Sequence, residues 1–211
     1  MNNAEINNEV IEIEETEKTT VAEDGSVVHE IFDSTTGILL KKITIKDGIL
    51  NGKTTIFDSF GNVTHRLHYE DGKLNGPAEF FLDGKPQMTT SFKDGLQEGE
   101  TVFFLNGIKS SVANFVGGLF EGKFTSFDES GNVIRIANYS AGKLAGECCC
   151  YYANGNLMEY SNYKENVLHG DVIRYFPDGN VMETSQFEMG KPIGFVDTYD
   201  QEGNLIKRKE V

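Results

Sequence analysis

The sequence predicts an all-β protein, an elongated single-layer antiparallel meander of tandem β-hairpin repeats, each 23–24 residues long. Three observations predict it. The phrase YEDGKLNG at 69–76 recurs in close copies, glycines recur at fixed intervals, and the stretches between glycines are short and rich in Val, Ile, Thr, Phe and Tyr. Stretches of about six to eight residues have the length and composition of strands. Such a repeat predicts an array in which each unit contacts mainly its neighbours.

Seven units align in register. Each starts with a lead residue, which is followed three residues later by a first glycine and four residues after that by a second glycine. A second aromatic stands five residues beyond the second glycine. The lead residues are Ile45, Tyr69, Phe92, Phe115, Tyr139, Tyr163 and Phe187. The second aromatics are Phe57, Phe81, Phe104, Phe127, Tyr151, Tyr175 and Tyr199.

The recurring glycines indicate turns. Asp often precedes the first glycine, as in Asp71-Gly72, and this pair is typical of tight hairpins. In one unit Asn166 replaces the first glycine, and Asn is the L-residue that best tolerates a positive φ after glycine. A third glycine, often followed by Asn, closes each unit. With two turns per unit we expect about 16 strands and essentially no helix.

We divide the chain into two regions. Residues 1–30 form an acidic segment in which VIEIEE (10–15) alternates apolar and acidic residues, as an edge strand with one solvated face does. Residues 31–211 form a continuous array, with seven clear repeats from Ile45 and one degenerate hairpin before it.

The formal net charge of −14 restricts the class of partner. Residues 1–30 hold nine acidic side chains against one Lys. Nucleic acids and anionic membranes both require clustered Lys and Arg, so the charge argues against both. It favours a basic protein partner, although it also fits a sheet-rich protein that is simply kept soluble. No signal-peptide pattern, long apolar run or spaced cysteine pair is present, so we expect a cytoplasmic location.

The pattern YxxGxxxGxxxxFxxxGN over residues 45–211 resembles the MORN-repeat variant family, which is found in bacterial YwqK-type antitoxin proteins. The glycine pairs from Gly48/Gly52 to Gly190/Gly194 and the two aromatic series carry the resemblance. The resemblance implies hairpin units of an extended sheet and a non-catalytic binding or scaffold module. For the antitoxins it also implies neutralisation of a toxin by contact. This sequence has no Trp, which is common in the membrane-associated eukaryotic relatives.

No motif predicts an enzyme, a cofactor or a metal site. Cys148, Cys149 and Cys150 are consecutive on a predicted strand, so their thiols alternate between faces and do not close a tetrahedral zinc site. His65 and His68 are three apart on a strand and also face opposite sides. The Asp residues before the glycines are explained by turn chemistry, because a calcium loop needs several alternating carboxylates.

Positions that vary between units are the better candidates for recognition. Two and four residues after the second glycine, the side chains face away from the second aromatics and are apolar in the middle of the array. A lone sheet has no second layer, so such a face is covered or used for binding. We predict protein contacts at Phe80, Phe103, Phe124, Glu12, Glu14 and Glu15.

The predicted function is therefore a non-catalytic protein-binding module, most simply an antitoxin or immunity-type inhibitor of a basic protein. One alternative is a scaffold that self-assembles through its exposed face or edge strand. Another is an acidic inhibitor of a nucleic-acid-handling enzyme, in which carboxylates of residues 1–30 stand in for phosphates.

Overall fold

The computed structural model describes residues 15–211 as one open antiparallel sheet of 21 strands. No residue in this range is helical, and successive strands pair in chain order. The predicted all-β meander is confirmed. The strands are β1 (Glu15–Val21), β2 (Val27–Asp33), β3 (Leu39–Lys46), β4 (Ile49–Leu50), β5 (Gly52–Phe57), β6 (Val63–Glu70), β7 (Lys73–Leu74), β8 (Gly76–Leu82), β9 (Lys85–Lys93), β10 (Leu96–Gln97), β11 (Gly99–Leu105), β12 (Ile108–Val116), β13 (Leu119–Phe120), β14 (Gly122–Phe127), β15 (Val133–Ser140), β16 (Lys143–Tyr151), β17 (Leu157–Lys164), β18 (Val167–Tyr175), β19 (Val181–Glu188), β20 (Lys191–Tyr199) and β21 (Leu205–Glu210).

Four of the 21 strands, β4, β7, β10 and β13, have two residues each, and one residue separates each of them from the strand that it extends. The array therefore has 17 full-length strands, close to the number expected from the repeats. At about 4.8 Å per strand, the sheet is roughly 80 Å long before twist. The molecule is elongated because each strand contacts only its neighbours in the chain.

The first turn of each unit has two consecutive residues with positive φ. Asp47 and Gly48 have φ of 51° and 78°, the combination of a type I′ turn. Where Asp is absent, Ala141 and Met189 still have φ of 47° and 48°. Asn166 has φ of 70°, which confirms that it replaces a turn glycine. The residue before the first glycine is thus also left-handed, and the two-residue turn fixes the register of the next strand.

The closing turn is held by an aspartate in several units. The backbone N–H groups of Phe60 and Asn62 donate to Asp58 Oδ1 at 2.9 and 2.8 Å. The side-chain amide of Asn62 and these backbone donors stabilise the ionised carboxylate, so the pKa of Asp58 is lowered. The same arrangement recurs at Asp128–Asn132 and Asp200–Asn204. Here the "GN" of the sequence pattern supplies the amide that closes the turn.

The register defines two faces. The lead face carries the lead residues, the second glycines and the residues two and four positions after them, and the opposite face carries the second aromatics. On the lead face, a middle row of small side chains runs along the array and is buried. Its most buried members are Thr54, Ala78, Thr90, Thr101, Ala113, Ala137, Cys148, Ser161, Val172 and Ser185.

Burial of such small groups in a single layer requires larger neighbours on both sides. The half-buried lead aromatics and the short-strand residues opposite them, such as Leu74 and Phe120, lie on one side of the middle row. The residues four positions after the second glycine lie on the other side. Thr101 and Ala137 are both 0% exposed, so the middle row replaces a conventional core.

At the N-terminal end, β1 pairs with β2 and β2 pairs with β3, so both belong to the same sheet. β2 crosses residue 30, and the division of the chain at that residue stays a prediction. The strand predicted over 10–15 lies outside the described residues except for Glu15, which begins β1.

We predict that Gly146→Val destabilises the protein by about 1–3 kcal/mol, because a β-branched residue is strained at positive φ. Gly146 has φ of +85°, and an added Cβ would meet no atom within 4 Å. The cost therefore comes from the backbone alone. Gly146→Asn, which tolerates this conformation, is the matched control. Gly146 lies within β16 beside a register irregularity, not in a turn as the sequence predicted. Urea denaturation that gives equal losses for both variants would contradict the strained-backbone explanation.

We predict opposite effects for two threonines of the middle row. Thr54 Oγ1 is buried and has no hydrogen-bond partner, whereas Thr101 Oγ1 lies 2.5 Å from Thr90 Oγ1. Thr54→Val should raise the free energy of unfolding by about 1 kcal/mol, since an unsatisfied hydroxyl is removed. Thr101→Val should lower it by a similar amount, since Thr90 loses its shortest hydrogen bond and keeps contacts at 3.5 Å with Gln97 Nε2 and Ser91 O. The same sign for both in thermal denaturation would contradict this account.

Candidate protein-binding surface

A second row on the lead face, here called the variable row, crosses the whole sheet. It contains the residue four positions after each second glycine, its partner on the following strand, and their continuation to the first strand. In order, the row runs Glu17, Ile31, Lys41, Ile56, His65, Phe80, Met88, Phe103, Ser111, Ser126, Arg135, Cys150, Glu159, Arg174, Glu183, Thr198 and Lys207.

The fourth to eighth positions of this row form an apolar band made of Ile56, His65, Phe80, Met88 and Phe103. All five side chains are half-buried, and each pairs directly with the next across neighbouring strands. The ring centroids of His65 and Phe80 are 5.2 Å apart at an interplanar angle of 78°, an edge-to-face contact. Within residues 15–211 no second layer covers this band.

The predicted contact residue Phe124 belongs to a different part of the lead face. It lies in the middle row, where its neighbours are the lead residue Tyr139 at 5.9 Å and the short-strand residue Phe120 at 6.0 Å between ring centroids. Phe120 also packs on Phe115 at 4.5 Å, and Phe115 is buried. Phe124 is therefore a packing residue of an aromatic cluster, whereas Phe80 and Phe103 lie together in the apolar band.

The C-terminal half of the variable row is charged. Arg174 lies between two glutamates on the neighbouring strands, with Nε donating to Glu159 at 3.0 Å and Nη1 donating to Glu183 at 3.1 Å. The hydrogen bond to Glu159 is the largest reason that the pKa of Arg174 is raised. The row thus changes from apolar to ion-paired along one face, although the backbone repeats unchanged.

The opposite face carries the second aromatics, and cations cover some of them. The guanidinium of Arg66 lies 5.0 Å from the ring centre of Phe81, and Nζ of Lys109 lies 4.3 Å from that of Phe127. Such cation–π contacts occupy the ring faces that a partner would use. Among residues 15–211 no cation covers the rings of the apolar band in this way, and this difference favours the lead face for binding.

Charged turns border the apolar band at both ends of its strands. Asp47, Asp71 and Asp94 lie in the first turns and are exposed, and Asp58 and Asp83 lie in the closing turns. Exposed lysines lie beside most of these aspartates, and Lys73 Nζ is 4.0 Å from Asp94. The band therefore has a polar rim of mixed charge, as the centre of a protein interface does.

The cysteines follow the predicted alternation. Cys148 and Cys150 pair with lead-face residues, and Cys149 pairs with Ile136 and Tyr160 on the opposite face. Burial raises the pKa of the Cys149 and Cys150 thiols, so both are held in the unreactive protonated form at neutral pH. Arg135 Nε lies 3.4 Å from Cys148 Sγ.

Of the three glutamates predicted to contact a partner, only Glu15 lies among the residues that the structure describes. Glu12 and Glu14 lie outside the described residues. Glu15 is exposed at the start of β1, with its carboxylate 3.9 Å from Lys41 Nζ.

Sequence reasoning missed His65 and Met88, which complete the apolar band from the partner strands. The sequence could have indicated both residues, because the strands on either side of a closing turn pair and bring His65 opposite Ile56 and Met88 opposite Phe80.

Three tandem segments, residues 120–141, 144–165 and 168–189, match the family model described as MORN repeat variant. Each segment starts in the strand that contributes Phe120, Leu144 or Leu168 to the lead face and runs through the next first turn. The match confirms the repeat class for this part of the chain. It does not distinguish antitoxins from other proteins with these repeats.

No curated protein matches the chain. Among solved structures, the crystal structure of TarM is similar over 70% of this chain and 21% of that chain, at 16% identity and a TM-score of 0.19. The chain therefore spans about a fifth of the length of that relative, and a score this low supports no comparison of fold or function. Within residues 15–211 no helix is long and apolar enough to cross a membrane.

We predict that Arg174→Met lowers the free energy of unfolding by up to about 1 kcal/mol at low salt, because Glu159 and Glu183 both lose their counter-charge. The loss should shrink at high salt, which screens exposed charges. Lys42→Met removes a cation that pairs with one carboxylate, Glu30 at 2.8 Å, and should cost less. Denaturation at two salt concentrations checks this, and a salt-independent loss would contradict the ion-pair explanation.

Proposed function

We propose that this protein is a non-catalytic binding module that holds a basic partner protein against the apolar band of its lead face. The band carries the proposal, because it is the part of the variable row where half-buried aromatic and apolar side chains adjoin without a covering layer in residues 15–211. Interfaces of this kind depend on a few aromatic anchors within a polar rim. The charged turns on both sides would provide that rim.

The proposed biological role is neutralisation of the partner, as in an antitoxin or immunity-type inhibitor. Two observations support this role. Three of the repeats match the MORN repeat variant model, and the repeat pattern resembles that of bacterial antitoxins. The net charge of −14 favours a basic target. A rigid array that contributes only contacts would inhibit by covering its target's working surface.

The binding surface can be tested with neighbouring phenylalanines that point to opposite faces. Phe80 and Phe103 lie in the band, whereas Phe81 and Phe104 follow them in sequence and are second aromatics. The full chain is used to capture a partner from its native cells, and the affinity of the purified partner is then measured. Phe80→Ser and Phe103→Ser should each weaken binding about 30-fold or more, the loss typical of an aromatic anchor.

The matched controls Phe81→Ser and Phe104→Ser should leave the affinity within about threefold of the unmodified chain, provided that circular dichroism shows them folded. Equal losses on both faces, or none on the lead face, would overturn the assignment of the surface. Glu12→Gln/Glu14→Gln/Glu15→Gln tests the alternative in which the acidic segment makes the contact. Binding lost only in this triple variant would favour a phosphate-mimicking inhibitor.

Inhibition is tested separately by assaying the partner's own activity with and without the full chain. The proposal predicts that activity falls in proportion to the bound fraction, and that Phe80→Ser relieves the inhibition. Tight binding that leaves the partner fully active would contradict the antitoxin role. The proposal that the protein is a binding module would still stand.

A further inference from the structure

The two outermost strands of the sheet are exposed along their whole length. Every residue of β1 and every residue of β21 is exposed, and within residues 15–211 each strand pairs on one side only. Their outer sides therefore present main-chain N–H and C=O groups in ladder spacing. Such an edge pairs with another strand unless charge or geometry prevents it.

The two edges carry opposite charges at the same level of the sheet. Glu17 on β1 begins the variable row, and Lys207 on β21 ends it. Glu17 contacts His29 and keeps 51% of its side chain exposed. Within the described residues Lys207 and Lys209 have no salt bridge, whereas Arg208 between them is held by Asp197 in a two-point contact at 2.7 and 2.6 Å. The lead face thus ends in carboxylates on one side and ammonium groups on the other.

The number of strands fixes the direction of the edges. An antiparallel meander of 17 full-length strands has its first and last strands running the same way. A second copy placed beyond β21 in the same orientation would continue every row of the lead face. Its Glu17 would then lie beside Lys207, and its Thr19 beside Lys209, because Thr19 and Lys209 are the two ends of the middle row.

We propose that copies of this chain associate end to end, with β21 of one copy pairing in parallel with β1 of the next. The partner surface is thus a second copy of this chain, selected by the contact of Glu17 with Lys207 directly opposite it, with Glu15 and Lys209 as the next charged residues on the same face of the two edges. Pairing β21 with β21, or β1 with β1, places like charges together, which is strongly unfavourable. Because the contact joins two different surfaces, a pair of copies keeps one free edge of each kind, and further copies add to give chains, or rings where the rotation between copies closes.

Two charge-reversed forms of the full chain test the contact. Glu15→Lys/Glu17→Lys makes both edges basic, and Lys207→Glu/Lys209→Glu makes both edges acidic. The unmodified chain should grow in mass with concentration in analytical ultracentrifugation, and each variant alone should associate about tenfold more weakly or worse. An equimolar mixture of the two variants should recover association, because each then finds a complementary edge.

Lys93→Glu/Lys123→Glu is the control, because it changes the net charge as much as the last-edge variant at two exposed lysines away from both edges. It should associate like the unmodified chain. A carbodiimide, which joins an amine directly to a carboxylate, should link Lys207 to Glu17. Within one copy these residues lie at opposite ends of the sheet, so that link identifies two copies. A chain that stays monomeric, a mixture that recovers nothing, or association through other residues overturns the proposal.

The test is independent of the proposed function. Phe80→Ser and Phe103→Ser leave both edges intact and should associate end to end like the unmodified chain. If these two variants lose self-association while the edge variants keep it, copies pair through the lead face and the end-to-end contact is wrong.

Discussion

The structure depends on the burial of one row of small side chains in a sheet that has no second layer. Ala78, Thr101 and Ala137 are almost fully buried because larger groups stand on both sides of them on the same face. The larger Phe124 is accommodated in this row because its ring packs on the flanking Phe120 and Tyr139, whereas a smaller flanking residue would let water reach the row. A single layer can fold here because every hairpin places the same three rows, the lead residues, the middle row and the variable row, against those of its neighbours.

The turns make that cross-section repeat. Residue pairs such as Asp71-Gly72, both left-handed, fix where each strand reverses. A slip of one residue would exchange the two faces, placing buried alanines in solvent. Ala141 and Met189 adopt the same conformation although neither residue favours it. The ladders on both sides hold them there, so the local cost is met by tertiary pairing.

The periodic part of the sequence was sufficient to predict the fold, the strand lengths and the residues on each face. Asn166 in place of glycine and the alternation of the three cysteines both followed from backbone geometry. The candidate surface was only partly predictable. Phe80 and Phe103 stand at corresponding positions of the repeat. Met88 is brought beside Phe80 by pairing across a closing turn, whose length varies, and His65 by pairing across the first turn. Phe124 was predicted as a contact because its position varies between repeats, and the structure places its ring in an aromatic cluster. Glu12 and Glu14 were predicted as contacts from the acidity of the N-terminal segment alone, and both lie outside the described residues.

The direction of the hydrogen bonds has a mechanical consequence. In a meander, the bonds between strands lie along the long axis of the molecule, and the chain enters at one end of that axis and leaves at the other. Tension applied between the two ends therefore opens ladders one rung at a time instead of shearing many together. Each released hairpin adds its contour length while the remaining hairpins keep their own packing. Under load the protein would behave as an extensible element that lengthens in repeat-sized steps and shortens again when the force is removed.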